Sequence, residues 1–135
     1  MSEWKLIDCE MNDEECLLEA LKEVGYQAEV HENGTTDLEN NYSSKRPKAH
    51  IVVRRRNLPS GCYSDLGFER TKDGMKIHAD DTDYSHNRDR IKLGSIKQSY
   101  ADRVIHKMVK RRPGKFSIKS RKKVDGEIKI VVRRL

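Results

Sequence analysis

Apolar and polar positions alternate through Ala49, Ile51 and Val53 on one side and His50, Val52 and Arg54 on the other, the period-two pattern of a β-strand. Residues 3–9, with Trp4 and Leu6 sharing a face, predict an earlier strand, and Tyr26, Ala28 and Val30 predict another. Between these two, Leu17, Leu18, Leu21 and Val24 recur at helical spacing, which exposes Glu15, Glu19, Lys22 and Glu23 on the opposite side. Asn12 or Asp13 offers the N-cap and Gly25 the stop. Residues 33–48, rich in Asn, Ser, Thr and charge, predict a long and mobile loop. Leu66 and Phe68 face Met75, Ile77 and Ala79 across Thr71-Lys72-Asp73-Gly74, a tight hairpin. Residues 80–98 read as a polar connection. A second helix is predicted from Ser99, as N-cap, to Pro113-Gly114. Tyr100, Val104, Ile105, Met108 and Val109 form its apolar stripe. Two strands close the chain around Asp125-Gly126, with Phe116 and Ile118 inward on one and Ile128, Ile130 and Val132 on the other.

Residues 49–55 (AHIVVRR) match residues 128–134 (IKIVVRR), with the last five identical. The order of helix, break and strand around each copy predicts an internal duplication. The expected fold class is α+β: a single antiparallel-rich sheet with two helices on one face, built from pseudo-duplicated β-α-β-β units joined by a central hairpin. The opposite face of that sheet is expected to be open. At 135 residues the chain suits one domain, 1–135, with a first unit at 1–56, a hairpin and connection at 57–98 and a second unit at 99–135.

Charge changes this picture. The chain carries 28 Lys and Arg against 22 Asp and Glu, for a net +6, but the halves differ. Residues 1–44 hold two basic and twelve acidic residues, whereas residues 103–135 hold thirteen basic and two acidic. Such asymmetry points to an anionic partner, unless the acidic helix neutralises the basic end across the fold. No apolar run is long enough to span a bilayer, and the acidic start has neither a signal-peptide core nor an Arg-rich transit pattern, so a soluble chain with no membrane partner is expected. Cys9, Cys16 and Cys62 form no CxxC pair and read as reduced residues.

The basic end supplies the leading candidate site. Strand parity sets Lys115, Lys119, Arg121 and Lys123 opposite Phe116 and Ile118, and Lys129 and Arg133 opposite Ile130 and Val132. Together with Arg103, Lys107, Lys110 and Arg111 on the second helix, these cations are the expected contacts to RNA or DNA phosphates. The aromatic signature of an RNA-recognition sheet is absent. A second cluster, His78, Asp80, Asp81, Asp83 and His86, has divalent-metal ligand types but neither EF-hand nor HExxH order. No nucleophile elbow or Gly-rich phosphate loop occurs, and His50, His78 and Cys62 read as ordinary sheet residues. A non-enzymatic binding module without a cofactor is therefore expected. The alternatives are a protein-interaction adaptor or homo-oligomer using the acidic helix and the exposed sheet, and a divalent-metal site at the loop from His78 to His86.

Leu17-Leu18-Glu19-Ala20-Leu21-Lys22-Glu23-Val24-Gly25-Tyr26, Ile51-Val52-Val53-Arg54, Asp65-Leu66-Gly67-Phe68, Asp73-Gly74, His78-Ala79-Asp80, Ser99-Tyr100-Ala101 and Val131-Val132-Arg133-Arg134 form a further pattern. It resembles the small conserved proteins of unknown function encoded in cyanobacteria and in red-algal-type chloroplast genomes. The resemblance implies an α+β domain without an assigned activity, and a cytoplasmic setting, in a plastid stroma or bacterial cytosol. The insert at 33–48 and the basic end beyond Arg103 are heavier than that pattern.

Overall fold

The computed structural model describes residues 4–9, 11–40, 44–85, 87–111, 116–124 and 127–134. The chain runs β1 (Trp4–Cys9), α1 (Glu14–Val24), β2 (Glu29–Val30), β3 (Thr36–Asp37), β4 (Lys48–Ala49) and β5 (Ile51–Val53), followed by a 3₁₀ turn at Arg55–Asn57. After it come β6 (Leu66–Thr71), β7 (Gly74–Asp80), β8 (Tyr84–Ser85), β9 (Arg88–Asp89), α2 (Leu93–Arg111), β10 (Phe116–Val124) and β11 (Glu127–Arg134). Among the described residues, five strands form one antiparallel sheet in the order β1-β7-β6-β5-β2. The α+β class is as the hydrophobic pattern predicts.

Both helices lie on one face of this sheet. Register places Ile51, Phe68 and Ile77 in one row across β5, β6 and β7. All three are fully buried, and they share a core with Leu17 and Leu21 of α1 and Leu93 and Ile96 of α2. Helix α1 begins where expected: Asp13 accepts a hydrogen bond from the Cys16 amide at 3.1 Å, and Gly25 closes the helix at φ +98°, a left-handed conformation that costs glycine little.

The other face is not open. Leu38, Ala49 and Val52 are fully buried there as a second small core, with Trp4 packed against it. The stretch read as a mobile loop at 33–48 instead contains β3, which pairs with β4 and lays Leu38 over the sheet. The backbone break at His50 turns Ala49 away from Ile51 and Val53, so the expected common face of Ala49, Ile51 and Val53 does not hold. Gly67 of β6 makes the overlay possible, because a Cβ there would stand 2.5 Å from Leu38 Cδ1 and 2.8 Å from Ala49 Cβ.

Helix α2 starts six residues before Ser99. Asp89 caps it, accepting from the Leu93 amide at 2.7 Å and the Gly94 amide at 2.9 Å. Ser99 lies inside the helix and donates to Glu23 Oε2 at 2.7 Å. The buried positions are therefore Leu93, Ile96 and Ser99, whereas the predicted stripe is only half-buried and Met108 is exposed. The connection at 80–98 contains the short β8-β9 hairpin as well as the first turns of this helix. The expected stop at Pro113-Gly114 and the turn at Asp125-Gly126 lie outside the described residues.

Among the described residues, β10 and β11 pair with each other as a two-stranded ribbon beside α2, outside the five-stranded sheet. The two copies of the repeated sequence consequently occupy different settings: β5 lies between β2 and β6, whereas β11 is one strand of the isolated ribbon.

Candidate functional site

The two helices meet along a row of ion pairs. Arg103 reaches Glu19 Oε2 at 3.0 Å through Nη1 and Glu23 Oε2 at 2.6 Å through Nη2. One turn later, Lys107 Nζ lies 2.8 Å from Asp13 Oδ2 and 3.3 Å from Glu15 Oε2. The helical repeat dictates this, since residues four apart on α2 face residues four apart on α1. The Lys107 hydrogen bond holds the Asp13 carboxyl below the usual range. Hydrogen bonds from Ser99 and then Arg103 do the same for Glu23. Arg103 and Lys107, expected as phosphate contacts, thus serve as partners of the acidic helix. This is the neutralisation that the charge asymmetry left open, but it operates on α2.

Beyond Lys107, the last turn of α2 exposes Lys110 and Arg111, and the ribbon follows. The register corrects the predicted distribution of its cations. Ile118 pairs with Val132, but Ser120 pairs with Val131, so a bulge falls at Lys119 and the alternation reverses there. Arg121 pairs with Ile130 and Lys123 with Ile128. Lys122 and Lys129 are register partners. Lys115 lies outside the described residues.

Three members of the candidate metal cluster, His78, Asp80 and Asp83, have protein partners. Asp80 Oδ1 accepts from the Thr82 amide at 2.8 Å and the Asp83 amide at 3.2 Å. The Asp83 carboxylate accepts from the Tyr63 and Ser64 amides, which ties the β7-β8 turn to the segment before β6. Both aspartates are buried, and burial pushes the Asp83 carboxyl above its ordinary range. His78 Nε2 turns instead to Glu69 Oε1 at 2.9 Å. His86 is outside the described residues, and among those described no three His, Cys, Asp or Glu side chains converge to hold an ion. His50 Nδ1 accepts from the Arg70 amide at 2.9 Å. Cys62 is buried, and burial raises its thiol to about 11, so it is protonated at neutral pH.

A feature that sequence reasoning passed over lies at the end of β5. A cavity of about 540 Å³ is lined by Arg54, Arg55 and Arg56, by Glu39 and Asp65, and by the loop through Ser60. The signal was the uninterrupted arginine run before Asn57-Leu58-Pro59, which the repeat had absorbed as a strand ending.

Among the described residues no helix is long and apolar enough to cross a membrane. No curated protein and no solved structure matches the chain. A family model does match it, over residues 20–131, from within α1 to within β11, and its description is "Protein of unknown function (DUF1257)". Because that match takes in the end of α1, the central strands, all of α2 and most of the ribbon, the chain belongs to this family of proteins of unknown function.

Proposed function

We propose that the protein is a non-catalytic binding module that contacts the phosphate backbone of RNA or DNA through the end of α2 and the β10-β11 ribbon. The observation that carries this reading is the fate of the acidic helix. Asp13, Glu15, Glu19 and Glu23 are engaged by Arg103 and Lys107. From Lys110 onward the chain has eleven basic residues and two acidic ones. A cation-rich ribbon suits a flexible polyanion, and contacts of this kind give affinity without base choice. Lys110, Arg111, Lys119, Arg121, Lys123, Lys129 and Arg133 remain the contact residues, with Lys122 added by the register.

The test is fluorescence anisotropy with labelled single-stranded RNA and duplex DNA across a salt series. Binding is expected to fall linearly on a log-log salt plot, with a slope of about −0.7 to −0.9 per phosphate neutralised. Reversing Lys122 and Lys129 to Glu should abolish it. Binding that ignores salt, or survives the double reversal, would falsify the reading.

A further inference from the structure

The β10-β11 ribbon has a shape as well as a charge, and the two together narrow the polyanion it fits. Positive charge alone does not choose among a flexible single strand, an RNA helix and a DNA helix. Strands Phe116–Val124 and Glu127–Arg134 contain nine and eight residues, so at about 3.3 Å per residue the ribbon is about 26–30 Å long. Its paired backbones lie about 5 Å apart. Among the described residues no third strand pairs with either outer edge, which leaves a narrow element instead of the rim of a broad sheet. Two-stranded ribbons twist more strongly than wider sheets, and the bulge at Lys119 adds to that twist. Charge is placed across the ribbon as well as along it. β10 carries Arg121, Lys122 and Lys123 in succession, and β11 carries Lys129, with Arg133 and Arg134 at its end. Lys122 and Lys129 occupy opposed register positions, and like charges directly opposite one another on neighbouring strands work against pairing. A polyanion lying along the ribbon offsets that cost.

Resting on the phosphate-contact reading, we propose that the ribbon lies in the major groove of double-helical DNA. That groove is about 12 Å wide and about 8.5 Å deep in the B form, and it admits a two-stranded ribbon. A phosphate backbone runs along each wall, so an element seated there needs cations on both of its strands, as β10 and β11 have. The ribbon's length is just short of one helical turn, about 34 Å, and its twist lets it follow a winding groove. An RNA double helix offers no such seat, because its major groove is deep and narrow. Proteins that hold single strands stack the bases on aromatic side chains, and Phe116 is the one aromatic residue in the two strands.

The full chain is titrated at one salt concentration against a labelled DNA duplex, an RNA duplex of matching sequence and single-stranded DNA. A fourth probe is the same DNA duplex carrying glucosylated 5-hydroxymethylcytosine, whose sugar fills the major groove and leaves the phosphate charge unchanged. The DNA duplex is expected to bind at least about tenfold more tightly than the RNA duplex or the single strand, and glucosylation to weaken it by about as much. Distamycin, which fills the minor groove, should leave binding unchanged. Equal affinity for either of the other two nucleic acids, indifference to glucosylation, or displacement by distamycin overturns the groove seat while phosphate contact by the ribbon stands. Failure to bind any of the probes removes the phosphate-contact reading and the groove seat together.

Discussion

Gly67 has no room for a side chain. Its would-be Cβ meets Leu38 and Ala49 well inside contact distance, and both neighbours are fully buried. Gly67→Ala should therefore destabilise the protein by about 1–3 kcal/mol in urea titration, as overpacking does. Trimming Leu38 to Ala in the same chain should recover part of that loss. Asp65 presents the opposite case, a buried carboxylate whose partners are all structural. Asp65→Ala leaves Arg54 with Glu29, Thr36 and the Asp37 carbonyl and orphans the Arg55 and Glu39 amides. A loss of about 3 kcal/mol is expected, typical of breaking a buried pair from one side. Neither role shows in the sequence, where Gly67 is one glycine among eight and Asp65 one carboxylate among many. Both depend on a segment more than ten residues away.

Helix boundaries were legible where a local signal exists. Asp13 and Gly25 mark α1 because capping is local hydrogen bonding and backbone conformation. The start of α2 was hidden because its cap, Asp89, sits four residues before Leu93 and belongs to β9. Asp89→Ala should cost about 1 kcal/mol and fray the first turn, seen as reduced far-UV ellipticity and faster hydrogen exchange at residues 93–96. The ion pairs between the helices are partly exposed, so Arg103→Ala should shift stability at pH 7 by no more than about 1 kcal/mol. Their pH dependence is more informative. Asp13 and Glu23 have folded pKa values below their unfolded ones. Their contribution is complete above the ordinary carboxylate range, near pH 4, and is lost as pH falls through the folded values. Asp83 has the opposite sign: its raised value favours the fold in acid, and that contribution disappears as pH rises through the folded value. Melting temperatures between pH 7 and pH 3 should fall for wild type and fall less for Arg103→Ala/Lys107→Ala. Identical slopes would remove the helix pair from the acid response.

At the scale of the whole molecule, charge is partitioned by the fold. The acidic helix was predicted from its stripe of Glu residues, and so were the basic residues that follow it. Which cations those carboxylates take was decided by the packing of α1 against α2, not by the balance of the two halves. Anion binding at the ribbon should accordingly respond to salt and be lost in Lys122→Glu/Lys129→Glu.

The sequence by itself determined α1 and its caps, the body of α2, the strands of the central sheet, the hairpin at Thr71–Gly74, the α+β class and the reservoir of positive charge. These follow from periodicity, turn chemistry and composition, which act over a few residues. Only the tertiary structure decided that Leu38 covers the far face, that the last ribbon stands apart from the sheet, that a bulge at Lys119 reverses its alternation, and that Arg103 and Lys107 are spent inside the fold. Each of those depends on contacts between distant segments, where packing volume and the pairing of charges prevail over local preference.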